Sequence, residues 1–547
     1  MRKSSALLAV AVALWLAGMD ARRLAGAELD PAAAAAAIDR LLEARLAEAG
    51  IPTSPPADHA EFLRRVTLDI VGRIPTFEET TDFLASDEID KRRQLIDRLL
   101  ESPAYGEHFA TIWNELIVPR DNAIKKSRRD PFTPWLAEQF NAGRGWDQIV
   151  IDLLTVEGKI GDRPQAGFIL ANSEMSEPHP ALLADATARL FWGVQLRCAE
   201  CHDHPFAPWK QTDFWATAAF FSRLRKGYSD GKNPAGYTLT EAPPDEPVSR
   251  QFAKLLAAPG VAGPAIVVPP TGGKLAGQVV HGMFLGGAAA EWSDDGPFRE
   301  RFAMWAVGKD NPWFAANAVN RLWAHFFGRG LVHPLDGFHA QCTPSHPQIL
   351  DLLAGELVDS RFDLKHVIRI ITSTAAYQRT SRPVAGNEND VDLVSHMAVK
   401  AMRPEVLYDS LSVVLDPPRP KPGSKTPGPG ALAPLPGTPR DEFVRLFGTR
   451  PDETAGSIVN AGVPQFLKLL NGELLNQPTP GLERLLAEDP QPADAIKGLY
   501  LSALSRLPTA EELQAMEQYM AGQGDQPQAY GGVLWALVNS AEFVMNH

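Results

Sequence analysis

With cysteines only at positions 198, 201 and 342, the chain has no disulfide framework to fold around, so its stability must come from packing. Its 547 residues allow that, since a prior of about 150 residues per domain gives roughly three or four compact units. A hydrophobic share of 45% and a charged share of 22% are ordinary globular values and argue against wholesale disorder or a membrane bundle.

The N-terminus stands apart. Arg2 and Lys3 precede an apolar run from Ala6 to Ala17, and Ala25 and Ala27 offer a small-residue cut before Glu28. This is the pattern of an export signal over residues 1–27, and the run is short for a spanning helix, with an uncleaved anchor as the alternative. Cleavage would take the net charge from −13 to −16, removing four basic residues and one acidic one. An acidic field of this size repels phosphates, which sets nucleic-acid binding aside and favours basic or neutral partners.

Periodicity predicts a mainly α fold in two helical parts, residues 28–225 and 298–547, separated by a small β or irregular insert over 226–297. Thr76-Phe-Glu-Glu79 is a capping box that starts a helix, and Pro75 ends the segment before it. The insert is rich in Gly and Pro, with short β-branched runs at Ile266–Val268 and Gln278–Val280 that read as strands. Helical spacing returns from Phe298. Asn311 and Pro312 form a start, Phe314, Ala318, Leu322 and Phe326 recur every four residues, and Gly328 stops the helix. The proline-dense stretch 416–440 reads as an extended loop within the second part.

One internal echo links the two parts. Arg73-Ile-Pro-Thr-Phe-Glu-Glu79 shares a frame with Arg506-Leu-Pro-Thr-Ala-Glu-Glu512, and Leu99-Leu-Glu-Ser-Pro103 is faintly matched by Leu537-Val-Asn-Ser-Ala541. Duplication of a helical unit would produce it, and so would convergence of helix starts on one capping chemistry.

The strongest chemical signature is Cys198-Ala-Glu-Cys201-His202. Two thiols at this spacing can add across the vinyl groups of a haem, and the histidine that follows them ligates the iron, so the motif reads as a site for covalently held haem c. Covalent attachment belongs to an exported chain, and the leader and the motif support each other. Leu183, Ala186, Leu190 and Val194 share one face, placing the motif at the end of an amphipathic helix that Pro180 opens. Phe206, Trp209, Phe214, Ala218 and Phe221 follow as an apolar wall. The same residues also fit a local disulfide, or half of a zinc site completed by His202 or His204. His204 reads as a surface or supporting residue, and Met175, His179, His281 and Met283 are all within reach as a sixth iron ligand.

Elsewhere the chemistry is thin. Cys342 reads as an unreactive thiol, and His325, His333, His339 and His346 as hydrogen-bonded structural groups. Arg321, Arg329 and Asp336 suggest a buried ion pair. No nucleophile elbow, zinc-protease helix or phosphate loop is present, so no catalytic constellation is recognised.

Long segments carry a family resemblance. Phe62-Leu-Arg-Arg-Val-Thr-Leu-Asp69, Ser102-Pro-Ala-Tyr-Gly-Glu107, Cys198-Ala-Glu-Cys-His-Asp-His-Pro-Phe206 and Asp213-Phe-Trp-Ala-Thr-Ala-Ala-Phe-Phe221 resemble the planctomycete-cytochrome (PSCyt) type of domain of unknown function. Asn311-Pro-Trp-Phe314, Val319-Asn-Arg-Leu-Trp323, Phe327-Gly-Arg-Gly-Leu331, Ser345-His-Pro347, Asp363-Leu-Lys-His366, Gly462-Val-Pro-Gln465 and Asn539-Ser-Ala-Glu-Phe543 resemble its companion, the PSD type. Trp113-Asn-Glu-Leu116, Asp147-Gln-Ile149 and Cys342 depart from those patterns. The resemblance implies an exported, cytochrome-associated protein of unassigned activity.

The expectation is therefore an exported protein of the periplasm or cell envelope, soluble or loosely envelope-associated. It holds haem c through Cys198, Cys201 and His202 and exchanges electrons with an unidentified redox partner or senses redox state. The rivals are an envelope structural or binding protein whose motif is a disulfide or metal staple, and an enzyme acting on an extracellular polymer.

Overall fold

A computed structural model describes residues 30–118, 131–174, 177–228, 237–242, 263–287, 297–339, 341–415, 439–447, 480–487, 491–523 and 526–547. The export signal, Met175, Gly462–Gln465 and nearly all of the proline-dense stretch lie outside them. Pro439 and Arg440, at the end of that stretch, open a helix instead.

The fold is mainly α. Helices α1 (Pro31–Ala49), α2 (His59–Val71), α3 (Phe77–Ala85), α4 (Lys91–Glu101), α5 (Pro103–Ile117), α6 (Phe132–Asn141), α7 (Trp146–Thr155), α8 (Gly167–Ala171), α9 (Pro180–Thr187) and α10 (Gln211–Ala219) build the first part. The second part holds α11 (Phe298–Val307), α12 (Phe314–Phe327), α13 (Pro347–Asp359), α14 (Leu364–Ser373) and α15 (Pro404–Leu415). It continues through α16 (Pro439–Phe447), α17 (Pro480–Leu486), α18 (Pro492–Leu504), α19 (Ala510–Ala521), α20 (Gln526–Val538) and α21 (Ala541–Val544). None of the described helices is long and apolar enough to cross a membrane.

Strands are short. β1 (Gly158–Lys159) and β4 (Leu224–Tyr228) flank β5 (Tyr237–Glu241) in an antiparallel sheet, β2 (Ser173–Glu174) pairs with β3 (Glu177–Pro178), and β8 (Lys400–Ala401) pairs with β9 (Met545–Asn546). In the insert, β6 (Ala265–Val267) and β7 (Val279–His281) form the hairpin expected from the two β-branched runs.

Packing divides the molecule near residue 400 rather than at the insert. One core runs from Ala34 to Met397 and unites helices before and after the insert, including Phe62, Trp146, Trp192, Phe214, Phe302 and Phe326. A second gathers Val406, Leu411, Leu499, Leu534 and Phe543 with Leu68 and Ile74 from the N-terminal side. Helix α2 thus feeds both cores. Its buried polar side chains bind the later chain: Arg64 donates to the carbonyls of Ala503 (2.9 Å) and Phe543 (2.8 Å), and Arg65 to those of Tyr377 and Arg379 (both 2.8 Å). Asp69 accepts from Lys400 Nζ (2.7 Å), Tyr377 Oη (2.8 Å) and Asn546 Nδ2 (2.7 Å). A buried polar group needs partners of this kind, and here the partners lie more than 300 residues away.

The internal echo is structural. Arg73 grips Glu79 through both terminal nitrogens (2.7 and 2.9 Å) and donates to the Ile74 carbonyl. Arg506 repeats this on Glu512 (2.7 and 2.9 Å) and the Leu507 carbonyl, and a full capping box from Thr76 or Thr509 follows in each case. Each turn leaves its preceding helix through a left-handed residue, Gly72 (φ 71°) or Ser505 (φ 60°). Ser102 and Ser540 then cap the last helix of each unit. The series α2 to α5 therefore recurs as α18 to α21, with Val66 and Leu499, Ile70 and Ala503, and Leu99 and Leu537 buried at matching places.

Candidate functional site

The approach to the motif differs from the expected straight helix. Leu183, Ala186, Leu190 and Val194 are all buried as the pattern requires, but α9 passes into a π-helical turn over Ala188–Trp192 and stops at Gly193. Gly193 sits at φ 65°, and a side chain there would meet Asn317 Oδ1 and Phe338. After the Val194–Gly337 bridge the chain makes a separate 3-10 turn, Arg197–Glu200, which carries the motif.

Cys198 and Cys201 are both free thiols, and both are exposed. Ala199 between them is fully buried and fixes the inner side of the turn. The Glu200 carbonyl accepts from Gln211 Nε2 and Trp215 Nε1, each at 3.0 Å, tying the turn to α10, while Arg197 pairs with the Glu200 carboxylate at 3.1 Å. Gln211 also donates to the Gly272 carbonyl. Gly273 (φ 54°) lies so close behind the turn that a Cβ there would collide with the Cys201 carbonyl oxygen. The insert therefore seals the back of the motif, and only glycine permits that approach.

His202 is exposed, and its Nδ1 lies 2.8 Å from the Asp203 carbonyl oxygen. A proton on Nδ1 donated there leaves the Nε2 lone pair outward, the tautomer in which a histidine binds metal. His204 is used differently. The loop doubles back through a bond from the His204 amide to the Trp209 carbonyl (2.8 Å), and His204 Nδ1 accepts from the amides of Phe206 (3.1 Å) and Ala207 (2.9 Å). Its acceptor nitrogen is thus consumed by the loop. Burial holds its pKa below the usual imidazole value, with His339 and His202 adding repulsion.

Behind the loop, Trp209 packs edge-on to Trp313 (centroids 5.7 Å apart), which meets Trp192 at 6.4 Å, and Phe214 packs edge-on to Trp215 at 5.2 Å. This is the expected apolar wall. Phe206, in contrast, is 70% exposed, its ring edge-on to that of His204 at 6.5 Å. Beneath the turn, burial raises the pKa of Asp185, which lies within the fields of Arg189, Arg197, Glu200 and Asp336.

The remaining candidates fall into place one by one. His179 caps α9 by accepting from the Leu182 amide (3.4 Å), and His281 and Met283 are exposed at and just after β7. His325 is structural as expected: its Nε2 donates to the Asp69 carbonyl (2.7 Å), and burial pushes its pKa down to about 3. His346 takes the cap position before α13, where its Nδ1 meets Ser345 Oγ at 3.1 Å. Cys342 donates weakly to the His333 carbonyl, and burial raises its pKa.

Of the suggested group, Arg321 lies within the field of Asp336 without a direct ion pair among the described residues, and Arg329 is bound elsewhere. Arg329 pairs with Asp392 at 2.7 Å, while Arg321 donates to the Arg189 carbonyl (2.9 Å), and burial brings its pKa down to about 10. Among the described residues no group of three or more His, Cys, Asp or Glu side chains is arranged to hold a metal ion. The polar network of Arg64, Arg65 and Asp69 escaped the motif search. Its signal was present, as four charges, Glu61, Arg64, Arg65 and Asp69, interleaved with the apolar residues of one helix, because such residues stay buried only when partnered.

Residues 37–226 match PSCyt2, a protein family of unknown function (DUF1549), and residues 298–520 match PSD1, likewise of unknown function (DUF1553). The chain therefore carries a PSCyt2 segment followed by a PSD1 segment. No curated protein and no solved structure matches it. The thiol motif lies in the PSCyt2 part, and the PSD1 part contributes Trp313, Asn317 and Phe338 to the packing behind it.

Proposed function

We propose that the protein is an exported c-type haem protein that carries electrons or reports redox state in the periplasm or envelope. The observation that supports this most is the motif's outward side: two unpaired, exposed thiols next to an imidazole whose Nδ1 is engaged by its own backbone. Cys198 and Cys201 would hold the haem covalently through their sulfurs, and His202 would bind its iron through Nε2. Haem bound in this way supplies reversible one-electron exchange.

The chain's own residues divide the remaining work. The Asp203 carbonyl sets the His202 tautomer, and Gln211, Trp215 and Gly273 hold the turn rigid from behind. Phe206, exposed and edge-on to His204 beyond the thiols in sequence, offers an apolar surface that a bound macrocycle could use. The acidic surface favours a redox partner with a basic or neutral face.

A second reading has the same thiol exposure in its favour: a dithiol that cycles with a disulfide. Intact mass and pyridine haemochrome spectra of protein made in a cytochrome-maturation host decide between the two. Haem attachment adds one porphyrin mass and an absorbing adduct, both lost in Cys198→Ser/Cys201→Ser. A mass lower by two hydrogens with no absorbing adduct would sink the haem assignment and favour the dithiol.

A further inference from the structure

The duplicated unit is covered in one copy and bare in the other. In the first copy, the Arg73–Thr76 turn lies under α15: Ile74 is fully buried in the second core, and its amide donates to Ser410 Oγ of α15 at 3.2 Å. In the second copy, Leu507 stands at the position of Ile74. It is 55% exposed, and its amide has no partner among the described residues. The Arg506–Thr509 turn instead faces an open cavity of about 780 Å³, which Val399 (56% exposed) and Leu84 also line. Arg382 stands on the same cavity, exposed, with its guanidinium bonded to no described residue, whereas Arg506 is neutralised by Glu512 and Glu542.

We propose that this uncovered turn is a docking site for an amphipathic helix of a partner protein, of the kind that α15 presents to the first copy. Three features define that helix. It carries aliphatic residues at helical spacing to cover Leu507 and Val399, as α15 uses Val406, Leu407 and Leu411. A hydroxyl side chain receives the Leu507 amide as Ser410 receives that of Ile74. A carboxylate at its rim meets Arg382, whose guanidinium has no partner among the described residues, while Asp58 and Glu542 on the same cavity call for basic or neutral residues opposite them.

The probe is a fluorescent peptide with the sequence of residues 404–415, held helical by a hydrocarbon staple on its polar side, titrated into the full-length protein and read by anisotropy. Saturable binding is expected, because the protein's own α15 already fills the first site. Leu507→Asp and Val399→Asp are each expected to weaken binding by at least about tenfold while leaving the circular dichroism unchanged, since both positions are exposed. Peptide with alanine in place of serine at the position of Ser410 is expected to bind less tightly. Absence of binding, or equal binding to Leu507→Asp, overturns the proposal. So does a dimer of the chain, seen by sedimentation, that Leu507→Asp dissolves, because the face would then belong to a second copy.

Discussion

Glu107, on α5, faces Asp409 at the start of the second core, and its environment makes the two halves sensitive to pH. Burial, reinforced by Asp409 and partly offset by Arg440, pushes its pKa up to about 7. The folded state then binds a proton more tightly than the unfolded chain, so this contribution is present below about pH 4.5 and is lost as pH rises through 7. Glu107→Gln is expected to raise stability by about 1 kcal/mol at pH 8, after allowance for partial solvent screening, with little effect at pH 4. Thermal unfolding of both proteins across that range checks it; equal melting curves at pH 8 would refute the assignment. At this scale the sequence was most legible where chemistry is local. Cys198, Cys201 and His202 declare themselves through spacing alone, and the capping threonines do so too. Arg65 and Asp69 could not, because nothing near them in sequence names Tyr377 or Lys400 as partners.

Among the elements, caps and periodicity located α3, α12 and α19, since the forces that start and stop a helix act within one turn. The helix before the motif was drawn too long. Its apolar stripe continues through Leu190 and Val194, but a stripe does not register a π-helical turn or a stop at Gly193. The two capping turns offer a matched comparison. Arg73 binds one carboxylate, while Arg506 binds Glu512 and also Glu542 (2.6 and 2.7 Å); its bond to Glu512, with that of the Thr509 amide, brings the pKa of Glu512 down to about 2. Arg506→Met is therefore expected to destabilise the protein by about 1 kcal/mol more than Arg73→Met at pH 7. Because Arg506 stabilises Glu512 as the anion, the loss in Arg506→Met is expected to shrink as pH falls from about 4.5 towards 2. Urea titrations of the two variants give the comparison, and equal losses would show that the Glu542 contact contributes nothing.

For the whole molecule, the family boundary and the folding boundary do not coincide. The PSCyt2 segment ends at residue 226, yet the core it shares with the PSD1 part continues to Met397, and α2 is bonded to residues near the C-terminus. Composition and helical spacing gave the class correctly, but only the folded chain reveals that the halves share an interior. A fragment of residues 28–225 would leave Arg64, Arg65 and Asp69 without their partners in an apolar setting. It is expected to show no cooperative unfolding transition by calorimetry, whereas the full chain is expected to unfold cooperatively; a fragment that melts sharply would count against a shared interior. The arrangement around Gly273 bears on how such a protein is made. The insert closes against the inner side of the Cys198–Cys201 turn and leaves both cysteines exposed. Under the haem proposal above, a ligation enzyme could then reach both sulfurs after the backbone had finished folding, and attachment would not have to precede it.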